Sequence, residues 1–452
     1  GCKVELLLER QYILTPYFKV TDQTGKVIPW QPGAYYRGFF LDRKKEDGKY
    51  ESHDHQQMAA LSIVDGEIMG MMSIEGDNYV LGKVGGEGGK KSSDYVLYNA
   101  ANLSIANNFH CQTAIEKHLK GTGQPALGEM PVATNVVKIY FEADYQTYLD
   151  KGSSIGNVVA YVTGLFNMVA TIYHNESIVT QIQQVGVWTI PDPYPINTSS
   201  GSGDVLNSFS SAMSGGFPGD LAHLVSTKNV GHGGIAWIDV LCYGSNKYYR
   251  TAYSNISNSY NNFPLYSWTI DVVTHEMGHN LGSPHTHDCA WGAGSNQSLD
   301  NCASNGGGCP VAPAPVNGGT IMSYCHLTAA GKNFNNGFGA QPGNLIRSRV
   351  NGSGCLSKAF LNCAGATSIT CGQSISGSTV GFPNNVNTYG CNSWLQSGGE
   401  RVFMLQTTEP GNITATLSNL TADLDVIILD ACSESNCLAE GNNSATVWNA
   451  SP

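Results

Sequence analysis

The fold is decided by the stretch Thr274-His275-Glu276-Met277-Gly278-His279-Asn280-Leu281-Gly282-Ser283-Pro284-His285-Thr286-His287-Asp288. His275 and His279 are four residues apart, and one helical turn advances about 5.4 Å, so both imidazoles project from one helix face and can bind one metal ion. Gly282 can adopt the left-handed conformation that ends a helix, and the proline two residues later cannot continue it. The chain can then turn back and bring His285 beneath the metal as a third ligand.

Three imidazole ligands match the pattern of a catalytic zinc site, because they leave a fourth coordination position open. Neutral imidazole nitrogen suits Zn²⁺ at about 2.0–2.1 Å. Glu276 follows the first histidine and can act as general base on the attacking water rather than as a ligand. The alternative is a buried helix whose histidines are satisfied by hydrogen bonds.

A second motif lies downstream, Gly319-Thr320-Ile321-Met322-Ser323-Tyr324. Together the two motifs resemble the metzincin metallopeptidases, whose long zinc motif is followed by a methionine-containing turn. The resemblance implies that Met322 packs beneath the histidines without binding the metal. It also implies that Tyr324 stabilises the oxyanion, as its counterpart does in astacins and serralysins. For both residues the alternative is an ordinary place in the core.

Within the metzincins, residues 1–356 most resemble the adamalysin/reprolysin-like enzymes, particularly secreted bacterial ones. Residues 137–144 are similar to their first strand, and residues 234–242 to the edge strand above their cleft. Thr286 departs from the aspartate that usually follows the third histidine, which leaves the subfamily open. The resemblance implies that an extended substrate pairs with the cleft edge strand, at Gly234, Ile235, Ala236 and Trp237.

The first part of the chain resembles the propeptide of the same enzymes, through Tyr35-Tyr36-Arg37-Gly38 and a predicted hairpin around Asp65-Gly66. The resemblance implies that Cys111 fills the open zinc position with its thiolate and keeps the enzyme latent. The alternative is a structural cysteine or a disulfide with Cys2. We expect processing within residues 121–134, with Lys120 as the nearest basic residue.

These patterns predict three domains: a mostly β inhibitory propeptide (1–130), a metzincin zinc peptidase domain (131–358) and an accessory β-sandwich (359–452). The fold class is therefore an α/β catalytic domain, a twisted mixed sheet with an active-site helix, between two β-rich flanks. The sandwich resembles the bacterial prepeptidase-type C-terminal module, and we expect it to be truncated. Periodicity predicts catalytic-domain helices at 155–173, 204–213 and 268–281, and strands at 136–141, 178–190, 221–226 and 234–242.

Cysteine usage is uneven, because 11 of the 13 cysteines lie after residue 240. Such density favours disulfides and a secreted protein. The alternative is a scatter of free thiols. Cys363 is left without a partner by the pairs that we prefer, which are Cys242–Cys355, Cys289–Cys325, Cys302–Cys309, Cys371–Cys391 and Cys432–Cys437.

The composition excludes some classes of protein. A net charge of −11 in 452 residues argues against nucleic acid as the main partner. No apolar run approaches the ~20 residues that span a bilayer, so we expect no transmembrane segment.

The sequence thus predicts a secreted, monomeric zinc endopeptidase in latent proenzyme form, with one catalytic Zn²⁺. It would cleave a protein or peptide and be inhibited by its own propeptide. Calcium is a second candidate ion, although no acidic residue near Asn135 matches the family's calcium site. Two alternatives stay open: a secreted adhesion or binding protein that retains the fold, and a zinc amidohydrolase that acts on a non-peptide substrate.

Overall fold

The computed structural model describes residues 5–40, 57–84, 93–103, 111, 113, 135–257 and 266–358, and in the C-terminal part 363, 366–379, 386, 389–391, 396, 398–407, 409–430 and 437–450. The predicted roles of Cys2, Lys120, Cys432 and residues 121–134 lie outside these residues. The chain divides into two compact units, Gly1–Leu356 and Ser357–Pro452. The predicted propeptide and catalytic domain therefore belong to a single unit.

The N-terminal segment forms an antiparallel sheet of six strands in the order β1-β3-β4-β5-β6-β7. The predicted hairpin joins β4 to β5, and Asp65 and Gly66 both have positive φ, as a tight hairpin turn requires. The strands are β1 (Leu6–Gln11), β3 (Ala34–Phe40), β4 (Gln57–Val64), β5 (Glu67–Ile74), β6 (Asp77–Lys83) and β7 (Tyr95–Asn99).

The second sheet has the order β11-β12-β10-β8-β9-β2 and is mixed, because β11 alone on this path runs antiparallel to its neighbour. Its last strand, β2, comes from the N-terminal segment and pairs in parallel with β9. The strands are β2 (Leu14–Asp22), β8 (Asn135–Ala143), β9 (Val179–Val187), β10 (Leu221–Ser226), β11 (Gly234–Ala236) and β12 (Thr251–Asn255).

Five α-helices accompany the second sheet: α1 (Tyr145–Asp150), α2 (Ile155–Asn175), α3 (Ser202–Met213), α4 (Tyr266–Asn280) and α5 (Ala340–Gly352). Helix α2 is long and apolar enough to cross a membrane, although no apolar run of this length was noted in the sequence. However, 78% of its apolar stretch is buried inside the protein, as in a core helix. Helix α5 was not predicted, because Pro342 and Gly343 in its first turn disguise its periodicity.

The edge strand is shorter than predicted. Residues 234–242 were expected to be extended throughout, but β11 ends at Ala236. Asp239 and Cys242 have φ values of 57° and 61°, so the backbone there is left-handed rather than extended. The chain instead turns toward the end of α4, where the Asp239 N–H donates to the His279 carbonyl at 2.9 Å.

The second unit is rich in short strands. Its described residues form three two-stranded sheets, β14-β15, β16-β19 and β17-β18, and the predicted sandwich stays a prediction. Val386 and Tyr389 are the buried centre of a small cluster there. The strands are β13 (Ser357–Lys358), β14 (Thr367–Ile369), β15 (Phe403–Leu405), β16 (Gly411–Thr416), β17 (Val426–Leu429), β18 (Cys437–Gly441) and β19 (Ser444–Ala450).

The disulfides differ from most of the predicted pairs. Cys242 and Cys355 are joined. The predicted pairs Cys289–Cys325 and Cys302–Cys309 are wrong, because the structure joins Cys289 to Cys309 and Cys302 to Cys325. The chain after residue 289 doubles back and brings the Cα atoms of Cys289 and Cys309 within 5.6 Å, inside the bridging range of about 4.4–6.8 Å.

The C-terminal pairing also differs. Cys391 is joined to Cys437, which excludes both Cys371–Cys391 and Cys432–Cys437. Cys371 is a free, exposed thiol. Cys363, expected to lack a partner, is disulfide-bonded. Spacing along the chain misled the prediction here because pairing depends on which strand ends meet in space.

Candidate metal centre

Four side chains from three parts of the chain converge on one point. His275 and His279 lie on α4, His285 follows the turn after this helix, and Cys111 comes from the N-terminal segment. Each offers one ligand atom, and these atoms all lie within 4.8 Å of one another. The three imidazole rings have centroid separations of 4.5–5.2 Å. These four atoms could hold a single metal ion.

The turn after α4 places the third histidine. Gly282 has φ +112°, a backbone conformation that favours glycine, and a Cβ there would lie 3.0 Å from Cγ of Arg349. Trp291 Nε1 donates to the His285 carbonyl at 2.7 Å, and the His285 N–H donates to Asp288 Oδ2 at 2.8 Å. These bonds fix the returning chain beneath the helix.

Each histidine is oriented through its Nδ1 atom. Nδ1 of His275 lies 2.8 Å from the Ile321 carbonyl, and Nδ1 of His279 lies 2.7 Å from the Ser283 carbonyl. Nδ1 of His285 lies 3.3 Å from Asp288 Oδ2. Because a carbonyl only accepts, the first two rings carry their proton on Nδ1. Their Nε2 lone pairs therefore face the point where His275, His279, His285 and Cys111 converge, which we call the metal pocket.

The inward nitrogens lack ordinary partners. Nε2 of His275 is buried and has no hydrogen-bond partner among the described residues. Nε2 of His279 lies 3.1 Å from Nε2 of His285. Burial lowers the pKa of His275 and His279 well below the usual value, so both rings are neutral. Neutral imidazoles that turn their Nε2 lone pairs inward are what a metal ion requires of its ligands.

Glu276 lies beside the histidines and is fully buried. A Cβ at Gly234, on the edge strand β11, would lie only 2.6 Å from Cδ of Glu276, so the strand approaches this carboxyl as closely as a glycine allows. Burial raises the pKa of Glu276 to about 8, against the lowering effect of hydrogen bonds from Cys111 and Thr113. A carboxylate with a raised pKa is a stronger base near neutral pH.

The N-terminal segment reaches the pocket at two residues. Sγ of Cys111 lies 3.5 Å from Nε2 of His279. Oγ1 of Thr113 accepts from the Ala236 N–H at 3.0 Å and lies 3.4 Å from Oε2 of Glu276. Thr113 thus touches both the edge strand and the carboxyl, a contact that sequence analysis missed, because nothing distinguishes a threonine two residues after a cysteine.

Tyr324 and Met322 both contact the pocket. The Tyr324 hydroxyl donates to the Cys111 carbonyl at 2.5 Å, and its ring lies 4.9 Å from that of His285. Burial raises the pKa of Tyr324, and so do the negative charges of Cys111 and Glu276, so the phenol keeps its proton. Met322 is fully buried, and a Cβ at Gly278 would lie 2.7 Å from its sulfur, between the two helical histidines.

An ion pair that was not predicted from the sequence supports the first histidine. Nζ of Lys332 lies 2.8 Å from both carboxylate oxygens of Asp271. The same ammonium donates to the Ile321 carbonyl at 2.9 Å. That carbonyl also accepts from His275, so Lys332 fixes the acceptor that orients this ring.

Other residues singled out from the sequence have supporting places. The His287 ring stacks on that of His285 with centroids 4.9 Å apart, and His326 contacts the ring of Trp268. The Thr286 N–H donates to the Met322 carbonyl at 3.1 Å, tying the zinc motif to the methionine turn. The Asn135 amide donates to the Val350 carbonyl at 2.8 Å.

Residues 133–336 match the family model Reprolysin_5, described as metallo-peptidase family M12. Among solved structures the chain is similar to metalloproteinase-II from Bacteroides fragilis, at 11% identity and a TM-score of 0.33, over 62% of this chain and 77% of that one. It is also similar to a chain in the structure of a chaperone-substrate complex, at 11% identity and a TM-score of 0.24, over 50% of this chain and 28% of that one. Both similarities are distant.

Proposed function

We propose that this protein is a secreted, zinc-dependent endopeptidase of the metzincin type, held latent by its N-terminal segment. The match of residues 133–336 to the model of metallo-peptidase family M12 supports the proposal. The observation that carries the proposal is the convergence of three buried imidazoles and one thiol within 4.8 Å, beside a buried carboxyl. The four disulfides described above support secretion, because such bonds persist in oxidising compartments.

The donor set fits zinc. Three histidine nitrogens and one thiolate suit tetrahedral coordination by a borderline-soft ion. The unpartnered Nε2 of buried His275 is otherwise a costly orphan, which a bound cation would satisfy. Burial and the charge of Glu276 raise the pKa of the Cys111 thiol, so its thiolate needs a cation at this point.

His275, His279 and His285 would hold zinc, which would supply Lewis acidity for a peptide carbonyl and a water. Glu276 accepts the proton of the attacking water and passes it to the leaving amine.

The scissile carbonyl would be held by Tyr324. In the latent chain the Tyr324 hydroxyl donates to the Cys111 carbonyl, a peptide oxygen at the metal pocket. A substrate carbonyl in the same position would accept the same hydrogen bond, which strengthens as negative charge develops on the oxygen. Cys111 thus stands in for a substrate residue.

The edge strand would bind the substrate backbone. β11 lies at the end of the second sheet, and the Ala236 N–H and carbonyl both point toward the pocket, where Thr113 contacts them at 3.0 and 3.3 Å. A peptide in extended form can replace Thr113 at this edge. The substrate class is therefore a protein or peptide chain.

Latency follows from the same contacts. The Cys111 thiolate would occupy the coordination position that the reaction needs, and Thr113 would cover both the base and the edge strand. Cleavage after these residues, within the predicted stretch 121–134, would free the segment that carries them and open the pocket.

The test uses the full chain and its Glu276→Ala variant. We expect about one zinc ion per chain in both by elemental analysis. After limited proteolysis we expect the parent chain to cleave casein or a peptide, and the Glu276→Ala variant to be about 10²–10⁴-fold less active. A chain that binds no zinc, or a Glu276→Ala variant as active as the parent with contamination excluded, would overturn the proposal.

A further inference from the structure

The N-terminal segment is built into the catalytic sheet. β2 extends that sheet beyond β9, with Val20 opposite Val185 and Asp22 opposite Val187. The Ile182 N–H donates to the Ile13 carbonyl at 2.8 Å. Val20 is fully buried, in one core cluster with residues of β8, β9 and α2. Without β2, strand β9 would become an open sheet edge with unpaired backbone groups.

The same segment covers a face of α2. A Cβ at Gly164 would lie 3.1 Å from Cγ of Met69, so β5 packs directly on the helix backbone. Asn167, in the middle of α2, is fully buried. Its amide donates to atoms of the N-terminal sheet at 3.0–3.2 Å, namely the Leu61 and Tyr36 carbonyls and Ser62 Oγ. A polar side chain on an apolar helix is stable there only while these acceptors are present.

A third contact leads to the metal pocket. Asn78, on β6, donates to the Lys332 carbonyl at 2.7 Å and accepts from the Phe334 N–H at 3.2 Å. Lys332 is the residue whose ammonium fixes the Ile321 carbonyl and, through it, the His275 ring. The N-terminal sheet therefore braces the loop that orients a predicted zinc ligand.

From these contacts we propose that the N-terminal sheet segment (residues 5–103) is a permanent subunit of the protease. After cleavage within 121–134 it stays bound to the rest of the first unit, and activation removes only the stretch around Cys111 and Thr113 from the pocket. The partner of the α2 and β9 surface is thus the chain's own cleaved segment. The inference rests on the proposed function for the occurrence of that cleavage.

The N-terminal sheet segment stays bound after cleavage because its dissociation would expose surface that is now buried. Helix α2 is largely apolar, and 15 of its 21 residues are buried, some of them against the N-terminal sheet. Loss of the segment would leave the face of α2 beneath it, the amide of Asn167 and the edge of β9 uncovered together. Cys111 and Thr113, in contrast, contact the pocket through a sulfur, a hydroxyl and one backbone carbonyl, and a competing substrate can replace these contacts.

The experiment separates retention from activity. A recognition site for a specific protease is inserted within 121–130 of the Glu276→Ala chain, which is then cleaved and passed through a sizing column. We expect the N-terminal fragment to co-elute with the remainder and to separate only at denaturant concentrations that unfold the remainder. A fragment that elutes alone, while the remainder stays folded with zinc bound, overturns the inference.

A matched pair of variants tests the surface itself. In the cleaved chain, Asn167→Leu removes the amide that donates to the N-terminal sheet and should weaken retention by about 10–100-fold. Asn157→Leu, at an exposed asparagine near the start of the same helix, should leave retention unchanged. Equal retention in the two variants contradicts the assigned surface. Asn78→Ala gives a milder test if Asn167→Leu does not fold, with an expected loss of up to about tenfold.

Activity is measured in parallel on the cleaved chain with Glu276 intact. An active enzyme whose fragment has dissociated overturns this inference and leaves the proposed function standing. A retained fragment without zinc-dependent peptidase activity overturns the proposed function and leaves the inference standing.

Discussion

The metal pocket has two sides that are held in different ways. The ligand side consists of His275, His279 and His285, all buried, each with a second bond that fixes its ring. The blocking side consists of Cys111 and Thr113, which reach the pocket from more than 160 residues away along the chain. The ligand side is carried by α4 and the turn after it, whereas the blocking side comes from the N-terminal segment and contacts the pocket through a sulfur, a hydroxyl and the Cys111 carbonyl.

The difference separates stability from latency. Disturbing the ligand side should cost folding free energy or metal affinity, because buried groups would lose their partners. Disturbing the blocking side should change the activity of the uncleaved chain and little else. Four substitutions test this contrast, and they are given in descending order of the free-energy change that we expect each to cause.

Lys332→Met should have the largest effect, because it leaves the buried carboxylate of Asp271 without its cation. Removing one partner of a buried ion pair typically costs about 3–5 kcal/mol. Urea unfolding would measure the loss. The double variant Lys332→Met/Asp271→Leu should recover much of it, because no uncompensated charge remains. If the single variant is as stable as the parent, the ligand side does not depend on this pair.

His285→Ala should lower zinc affinity by at least about 100-fold, since even the loss of an outer hydrogen-bond partner of a ligand commonly costs 10–100-fold. Competition with a chromophoric chelator would measure it. His326→Ala is the matched control, because this ring contacts Trp268 and Tyr324 and is not one of the side chains that converge with Cys111. Zinc affinity that is equal in the two variants would remove His285 from the ligand set.

Cys111→Ala should raise the peptidase activity of the uncleaved chain by at least about tenfold, which corresponds to about 1.4 kcal/mol of blocking free energy. Folding stability should stay close to that of the parent. Cys371→Ala removes a free, exposed thiol elsewhere and serves as the control. An uncleaved Cys111→Ala chain that stays fully latent would show that the thiol is not the block.

Thr113→Val should have the smallest effect, about 2–10-fold more activity, because it removes one hydroxyl worth about 0.5–1.5 kcal/mol and keeps the shape. The comparison is made in the uncleaved Cys111→Ala chain, where the metal position is already open. Thr370→Val, at an exposed threonine of the second unit, is the control. If Thr113→Val raises the activity no more than the control does, Thr113 has only a structural role.

The sequence was informative where contacts are local. The helix that carries the zinc motif was expected at 268–281 and spans Tyr266–Asn280. The hairpin at Asp65-Gly66 was predicted because its turn needs residues that tolerate positive φ. Cys111 was singled out only through a family resemblance, and the fold brings its sulfur to His279.

The errors lie where distant parts of the chain meet. The pairs Cys289–Cys325 and Cys302–Cys309 were expected, but the structure has Cys289–Cys309 and Cys302–Cys325. The correct pairing depends on where the loop after residue 289 and the turn after Met322 lie in space, which spacing along the chain does not reveal. The membership of β2 in the catalytic sheet was missed for the same reason: strand periodicity says which face is buried but not which strand is the neighbour.

The sequence alone determined the ligand set proposed for zinc and the base beside it, because one helical turn and one glycine-ended helix place these side chains within fifteen residues of chain. Only the tertiary structure decided what touches them: Thr113 against Glu276, Lys332 behind His275, and the N-terminal sheet on α2. Those contacts join residues that are far apart in sequence, and their free energy comes from burial and hydrogen bonding that exist only once the core has formed.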